Sequence, residues 1–187
     1  MLVIKRNQNG FSLIELIVGV MIIGILAAAG VPSFMSWIQN SQLRTATETM
    51  TSGLQFARAE AVRRNTSVQF SLSGTANVDS SWSVGCVTPV ADLNADGVAD
   101  CPAVIQARNG AEGSRNAVVN SNTAVIVFTA LGRSTSNANN TISITNPTGG
   151  LCMAAGGPMR CLNIFVTTGG SVRMCNPALP STNPQGC

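Results

Sequence analysis

Residues 7–34 read NQNGFSLIELIVGVMIIGILAAAGVPSF. After the polar leader ending in Gly10, Phe11 opens an apolar run of about 24 residues, long enough to cross a bilayer as a helix. One acid, Glu15, lies inside it. A carboxylate at bilayer depth costs roughly 3 kcal/mol on insertion scales, so its presence calls for a functional reason. Lys5 and Arg6 stand just before the run. The positive-inside rule therefore puts the N-terminus in the cytoplasm and the remainder of the chain on the other side. No small-residue cleavage site follows the run, as it would in a secretory signal.

The helical pattern continues beyond Pro32. In SFMSWIQNSQLRTATETMTSGLQFARAEAVRRN, the apolar residues Leu43, Ala46, Met50, Leu54, Ala57 and Ala61 recur at three- and four-residue steps. That is the stripe of an amphipathic helix. A helix from Phe11 to about Arg64 would be roughly 80 Å long. Pro32 removes one backbone donor and is expected to kink or locally melt it. Glu60 and Arg64 are spaced as an i, i+4 ion pair.

The rest alternates as short strands. Segments 66–73, 82–87, 103–107, 124–129, 141–145, 162–167 and 171–175 carry the period-2 pattern, with turn-rich stretches between them. Thr168-Gly169-Gly170 suits a tight hairpin. The fold class is α+β: a long N-terminal helix, transmembrane in its first half, packed on an antiparallel β-sheet or sandwich.

Composition narrows the chemistry. The chain has six Cys and no His. All six Cys lie from Cys86 onward, and no C-x-x-C spacing occurs, which argues against a zinc ribbon or a redox motif. An even set beyond a membrane segment fits an oxidising compartment. Sequence proximity suggests the pairs Cys86–Cys101, Cys152–Cys161 and Cys175–Cys187, the last pinning a Pro-rich tail. Without His there is no Ser–His or Cys–His pair for nucleophilic catalysis. Ala154-Ala155-Gly156-Gly157-Pro158 reads as a turn, not a phosphate loop. From Pro102 onward the charges are Arg108, Arg115, Arg133, Arg160 and Arg173 against Glu112 alone.

Gly10, Phe11, Glu15 and Pro32 closely resemble the class III signal of type IV pilins and type II secretion pseudopilins. The resemblance implies cleavage after Gly10 by a prepilin peptidase, methylation of Phe11, and an assembly role for Glu15 and Pro32. Three further segments are similar to the GspH/FimT family of minor pilins and pseudopilins. They are Gln55-Phe56-Ala57-Arg58-Ala59-Glu60-Ala61, then Phe128 with Leu131-Gly132-Arg133, then Gly170-Ser171-Val172-Arg173-Met174-Cys175-Asn176-Pro177. The resemblance implies the pilin fold, a leader at 1–10, a transmembrane and filament-core helix at 11–34, and a periplasmic globular domain at 35–187. The implied function is that of a minor pilin in a type IV pilus, with a type II secretion pseudopilin as the alternative and a DNA-binding competence pilin for DNA uptake as the second alternative. The implied partners are other pilins through the N-terminal helix, the prepilin peptidase and the inner membrane. DNA-binding competence pilins of the family carry G-R-x-R in the last hairpin. Here Ser171 replaces the first Arg and leaves Arg173, which makes DNA an unfavoured partner.

One loop admits two readings. Asp92, Asn94, Asp96, the Val98 carbonyl and Asp100 match the first nine positions of an EF-hand-type loop, with Gly97 at the turn. The twelfth position is Ala103, where such a loop needs a bidentate Glu. The other reading is a polar Asx-turn loop. No cofactor is expected beyond weak Ca²⁺ at this loop.

Processing is directly testable. Mass spectrometry of the protein from its native host should find an N-terminus at methylated Phe11. A leader retained in assembled protein would contradict the signal reading.

Overall fold

The computed structural model describes residues 10, 12–91 and 100–187, with Pro32 as backbone only. The chain divides into two compact units, Met1–Trp37 and Ile38–Cys187.

Helix α1 runs from Leu13 to Arg63. Its backbone stays helical through position 32, so the local melting expected at Pro32 does not occur. A proline costs its own donor and clashes with one carbonyl. Here that loss is absorbed within a long, otherwise regular helix. In the second unit the stripe Leu43, Ala46, Met50, Leu54, Ala57 and Ala61 is fully buried. Thr47 is buried on the same side, and its hydroxyl donates to the Leu43 carbonyl at 2.8 Å. Burying that polar group therefore leaves no donor unsatisfied.

Among the described residues nine strands follow: β1 Val68–Leu72, β2 Val78–Asp79, β3 Trp82–Cys86, β4 Gln106–Arg108, β5 Val118–Ser121, β6 Val125–Phe128, β7 Asn140–Thr145, β8 Leu162–Val166 and β9 Val172–Cys175. They form two antiparallel sheets, ordered β4-β3-β1-β6 and β2-β5-β7-β8-β9. Alternate residues of both sheets point into one core shared with the helix stripe, among them Val68, Phe70 and Val84 from the first sheet and Ile142, Ile144, Ile164 and Val166 from the second. This is the expected α+β class, a long helix with antiparallel sheets. Two strands, β2 and β5, lie where no strand was expected. The strand expected at 103–107 begins only at Gln106; before it the Cys86 amide still donates to the Pro102 carbonyl at 3.0 Å and the Ile105 amide to the Val84 carbonyl at 2.7 Å, while the Ala103 carbonyl lies over Gly85. Any side chain at position 85 would occupy that space.

The helix meets the first sheet closely at Gly53. A Cβ there would come within 2.9 Å of Cη2 of Trp82 and 3.0 Å of Cε2 of Phe70. Those rings stack with centroids 5.5 Å apart. Replacing a helical Gly by Ala gains about 1 kcal/mol of propensity. Overpacking rigid rings in a filled core costs about 1–3 kcal/mol, so the clash should win. Gly53→Ala is expected to lower the urea midpoint of the Ile38–Cys187 unit, and Gly53→Leu to lower it further. A raised midpoint for Gly53→Ala would show that the helix can lift from the sheet without loss.

Candidate functional site

The N-terminal end of α1 is built around Ser12. Its side-chain oxygen accepts from the Glu15 amide at 3.3 Å, and its carbonyl accepts from the amides of Glu15 and Leu16. Ser12 is thus the N-cap and Glu15 the third helical residue, the spacing of a capping box. The sequence reading passed over this, although S-x-x-E is its signature. A carboxylate in the first turn also suits the positive end of the helix dipole. Gly10 is exposed, and Phe11 lies outside the described residues. From Leu13 to Leu26 every large apolar side chain is 40% exposed or more. The helix is long and apolar enough to cross a membrane. Near the end of this unit Phe34 and Trp37 stack at 5.9 Å.

At the other end of α1, Glu60 is buried and holds two cations. Arg63 donates to both carboxylate oxygens, at 2.9 and 2.7 Å, and Arg64 donates at 2.7 Å. Arg64 also donates to the Asp100 carbonyl. The helix end is therefore tied to the segment that the Cys86–Cys101 disulfide closes. The Arg63 hydrogen bond, helped by Arg64 and opposed by burial, holds the Glu60 carboxyl below its ordinary value of 4.5.

The structure contains three disulfides: Cys86–Cys101, Cys152–Cys161 and Cys175–Cys187, with Cα separations of 5.8, 5.4 and 5.2 Å. Each closes a loop of 9–15 residues, for which chain entropy gives about 3 kcal/mol. The last fixes the tail, where the Asn176 amide also donates to the Gln185 carbonyl at 2.7 Å. Of the loop candidates, Asp92, Asn94, Asp96 and Val98 lie outside the described residues; Asp100 is described and half-buried. Among the described residues no group of three or more His, Cys, Asp or Glu is placed to hold a metal ion.

The three segments singled out in the sequence beyond the N-terminal signal converge in space. Gly170, at φ +80°, closes the β8–β9 hairpin, with its amide donating to the Thr167 carbonyl at 2.8 Å. A Cβ on it would lie 1.9 Å from the Gly132 carbonyl and 3.3 Å from the Arg133 Cα. Both the dihedral and the contact demand glycine. On the helix, Arg58 donates through Nε to the same Gly132 carbonyl at 3.0 Å. Arg58, Arg133 and Arg173 are all exposed around this junction.

A groove of about 440 Å³ opens beside β1 and β3, lined by Ser71, Ser73, Ser81, Ser83 and Arg108 among others. The nearby Asp79 accepts from the hydroxyls of Ser81 at 2.7 Å and Ser73 at 3.0 Å. Those bonds, Ser81 foremost, lower its pKa. An acid held ionised by hydroxyls is a poor proton acceptor for activating them.

A capped helix whose first half is exposed and apolar apart from Glu15, and whose second half is the spine of a two-sheet domain, defines a type IV pilin-like protein. Residues 5–31 match the prokaryotic N-terminal methylation motif. Residues 46–170 match the family described as type II transport protein GspH, and the chain belongs to this family. In fold the chain is similar to crystal structures of the type IV minor pilin FimU from Pseudomonas aeruginosa strain PAO1. One crystal form gives a TM-score of 0.51 at 18% identity over 77% of this chain and 98% of FimU. A second gives 0.51 at 18% over 78% and 94%.

The Glu60 cluster makes an acid-limb prediction. Its folded pKa is lowered, so its contribution is present above the unfolded value and lost as pH falls through the folded one. Glu60→Gln should destabilise the Ile38–Cys187 unit by about 1–2 kcal/mol at pH 7. That deficit should shrink as the pH falls below 4.5. Equal deficits at neutral and acid pH in urea titrations would contradict an ionic origin.

Proposed function

We propose that this protein is a structural subunit, a minor pilin that joins a type IV pilus at or near its tip. The observation that carries the reading is the unpartnered helix. Its exposed apolar surface belongs either in lipid or against other helices, and the methylation motif and the family supply a filament as the place where helices meet. On this reading residues 1–10 form the leader, 11–34 the membrane-stored segment and 35–187 the periplasmic domain. The prepilin peptidase removes the leader. The apolar helix waits in the inner membrane and is then drawn into the filament core, where helices bury one another instead of lipid. The domain presents its surface to neighbouring minor pilins. No enzymatic activity is proposed: the chain has no His, and Asp79, the acid bonded to Ser73 and Ser81, is held ionised by those hydroxyls. No cofactor is proposed beyond weak Ca²⁺ at 92–100. The alternative is a pseudopilin of a type II secretion system, which the same helix would serve.

Glu15 decides between assembly and simple capping. In the proposed role its carboxylate pairs with the free α-amino group of Phe11 on a neighbouring subunit, which offsets the cost of a charge at membrane depth. Gln can fill the third position of a capping box but carries no charge. Glu15→Gln and Glu15→Leu should both insert in the membrane yet fail to enter filaments. Normal incorporation of Glu15→Gln, measured on sheared filaments, would reduce Glu15 to a helix cap.

A second reading, DNA capture, is favoured only by the exposed Arg58, Arg133 and Arg173 on the three segments that meet at Gly132 and Gly170. Without the leader the chain keeps nine Arg (the 11 basic residues less Lys5 and Arg6) against eight acids. Non-specific DNA affinity rests on phosphate neutralisation. A near-neutral chain with one Arg on its hairpin should form no complex at low micromolar protein and physiological salt in a mobility-shift assay. Tight, salt-sensitive binding lost in Arg173→Ala would make DNA uptake the better reading.

A further inference from the structure

The turn after β6 displays a large apolar side chain. Leu131 is 83% exposed, more than any other large apolar residue among those described. The turn that carries it is firmly bonded. The Thr129 amide donates to the Arg133 carbonyl and the Gly132 amide to the Thr129 carbonyl, both at 2.8 Å. Nε of Arg58 donates to the Gly132 carbonyl at 3.0 Å, and the Ser134 amide donates to the Thr168 carbonyl at 3.2 Å. A side chain whose backbone is already fixed loses less freedom when a partner buries it.

Leu131 has apolar company. A Cβ on Gly132 would lie 3.2 Å from Cγ2 of Val62 and 3.2 Å from Nε of Arg58, so the turn rests on this face of α1. Val62 is 53% exposed there, and Ala59, three residues before it, is exposed as well. Cations surround these residues. Residues 58–64 carry Arg58, Arg63 and Arg64 with Glu60 as their one acid, and the turn adds Arg133. With Asp100 included, whose carbonyl Arg64 reaches, this end of the domain holds four Arg against two acids. Glu60 is already engaged by Arg63 and Arg64. Arg133 is exposed and makes no ion pair or side-chain hydrogen bond among the described residues.

We propose that Leu131 and Val62, flanked by Arg58 and Arg133, form a docking face for an acidic surface on the globular domain of another pilin subunit, with Leu131 as the apolar anchor. An apolar centre with Arg at its edge is the composition of protein interfaces. The excess positive charge selects a partner bearing Asp or Glu, because opposite charges steer the encounter and fix its register while like charges oppose it. DNA would engage the Arg side chains, since phosphate neutralisation needs cations, but it would give Leu131 and Val62 nothing to be buried against. The face is small. It suffices where helices already hold two subunits together, because a tethered contact forms at high effective concentration. The proposal rests on the filament reading and adds to it which face of the domain selects a neighbour.

The test uses the full chain in cells that assemble filaments. Benzoylphenylalanine at position 131 should give, on irradiation, an adduct with the globular domain of another pilin, through a peptide that carries Asp or Glu. Leu131→Asp and Arg133→Glu should each lower the amount of this protein in sheared filaments about tenfold. Changing the acid of the crosslinked peptide to Arg should restore entry of Arg133→Glu. Both positions are exposed, and an unchanged melting temperature and disulfide map establish that each variant is folded. Normal entry of both variants with no pilin adduct from position 131 would overturn the docking face and leave the filament reading standing. Adducts with DNA alone would overturn the protein partner in favour of nucleic acid. Absence of the native chain from filaments would overturn the filament reading and the docking face with it.

Discussion

One constraint organises this molecule: a single helix of 51 residues must satisfy two different surroundings. Its second half is amphipathic, and the stripe from Leu43 to Ala61 finds its apolar partner within the chain. Its first half is apolar apart from Glu15 and, among the described residues, has no such partner. A soluble fold cannot leave that much apolar surface in water. The first half therefore has to be solvated by lipid or by copies of similar helices.

The domain holds its half of the helix at both ends. Near its start, Gln39 and Asn40 are gripped by the disulfide-closed loop between β7 and β8. At its finish, Glu60 and Arg64 join the last turn to the loop closed by Cys86–Cys101. Between them, Gly53 lets the Trp82 and Phe70 rings approach the helix backbone, and Arg58 reaches the Gly132 carbonyl beneath the last hairpin. A force drawing on the helix would thus be shared with both sheets. The short covalent loops matter because the domain is small, with a limited core to resist unfolding.

Much of this was legible in the sequence because the strongest signals are periodic. The Leu43–Ala61 stripe follows from 3.6-residue spacing, and each residue in it is buried. Strands β1, β3, β6, β7, β8 and β9 alternate clearly enough to be found. β2 and β5 are two and four residues long, too short for alternation to show. β4 starts at Gln106, and the bonds that precede it, Cys86 amide to Pro102 carbonyl and Ile105 amide to Val84 carbonyl, lie outside the regular ladder, which no local pattern encodes. The Ser12–Glu15 cap has the legible S-x-x-E spacing, but its acid falls inside an apolar run, where it reads as a membrane charge. The grip on Asn40 and the meeting of Arg58, Gly132 and Gly170 depend on residues far apart in sequence. They could not be read before the fold was known.

The central claim is that the exposed apolar half of α1 exchanges lipid for the helices of other pilins. In-cell photo-crosslinking from a benzoylphenylalanine at Leu16, beside Glu15, tests it most directly. In assembling cells the account predicts adducts with the N-terminal helix of another processed pilin, lost when the prepilin peptidase is removed. Assembled, processed protein that yields no adduct to another pilin from that position would contradict it.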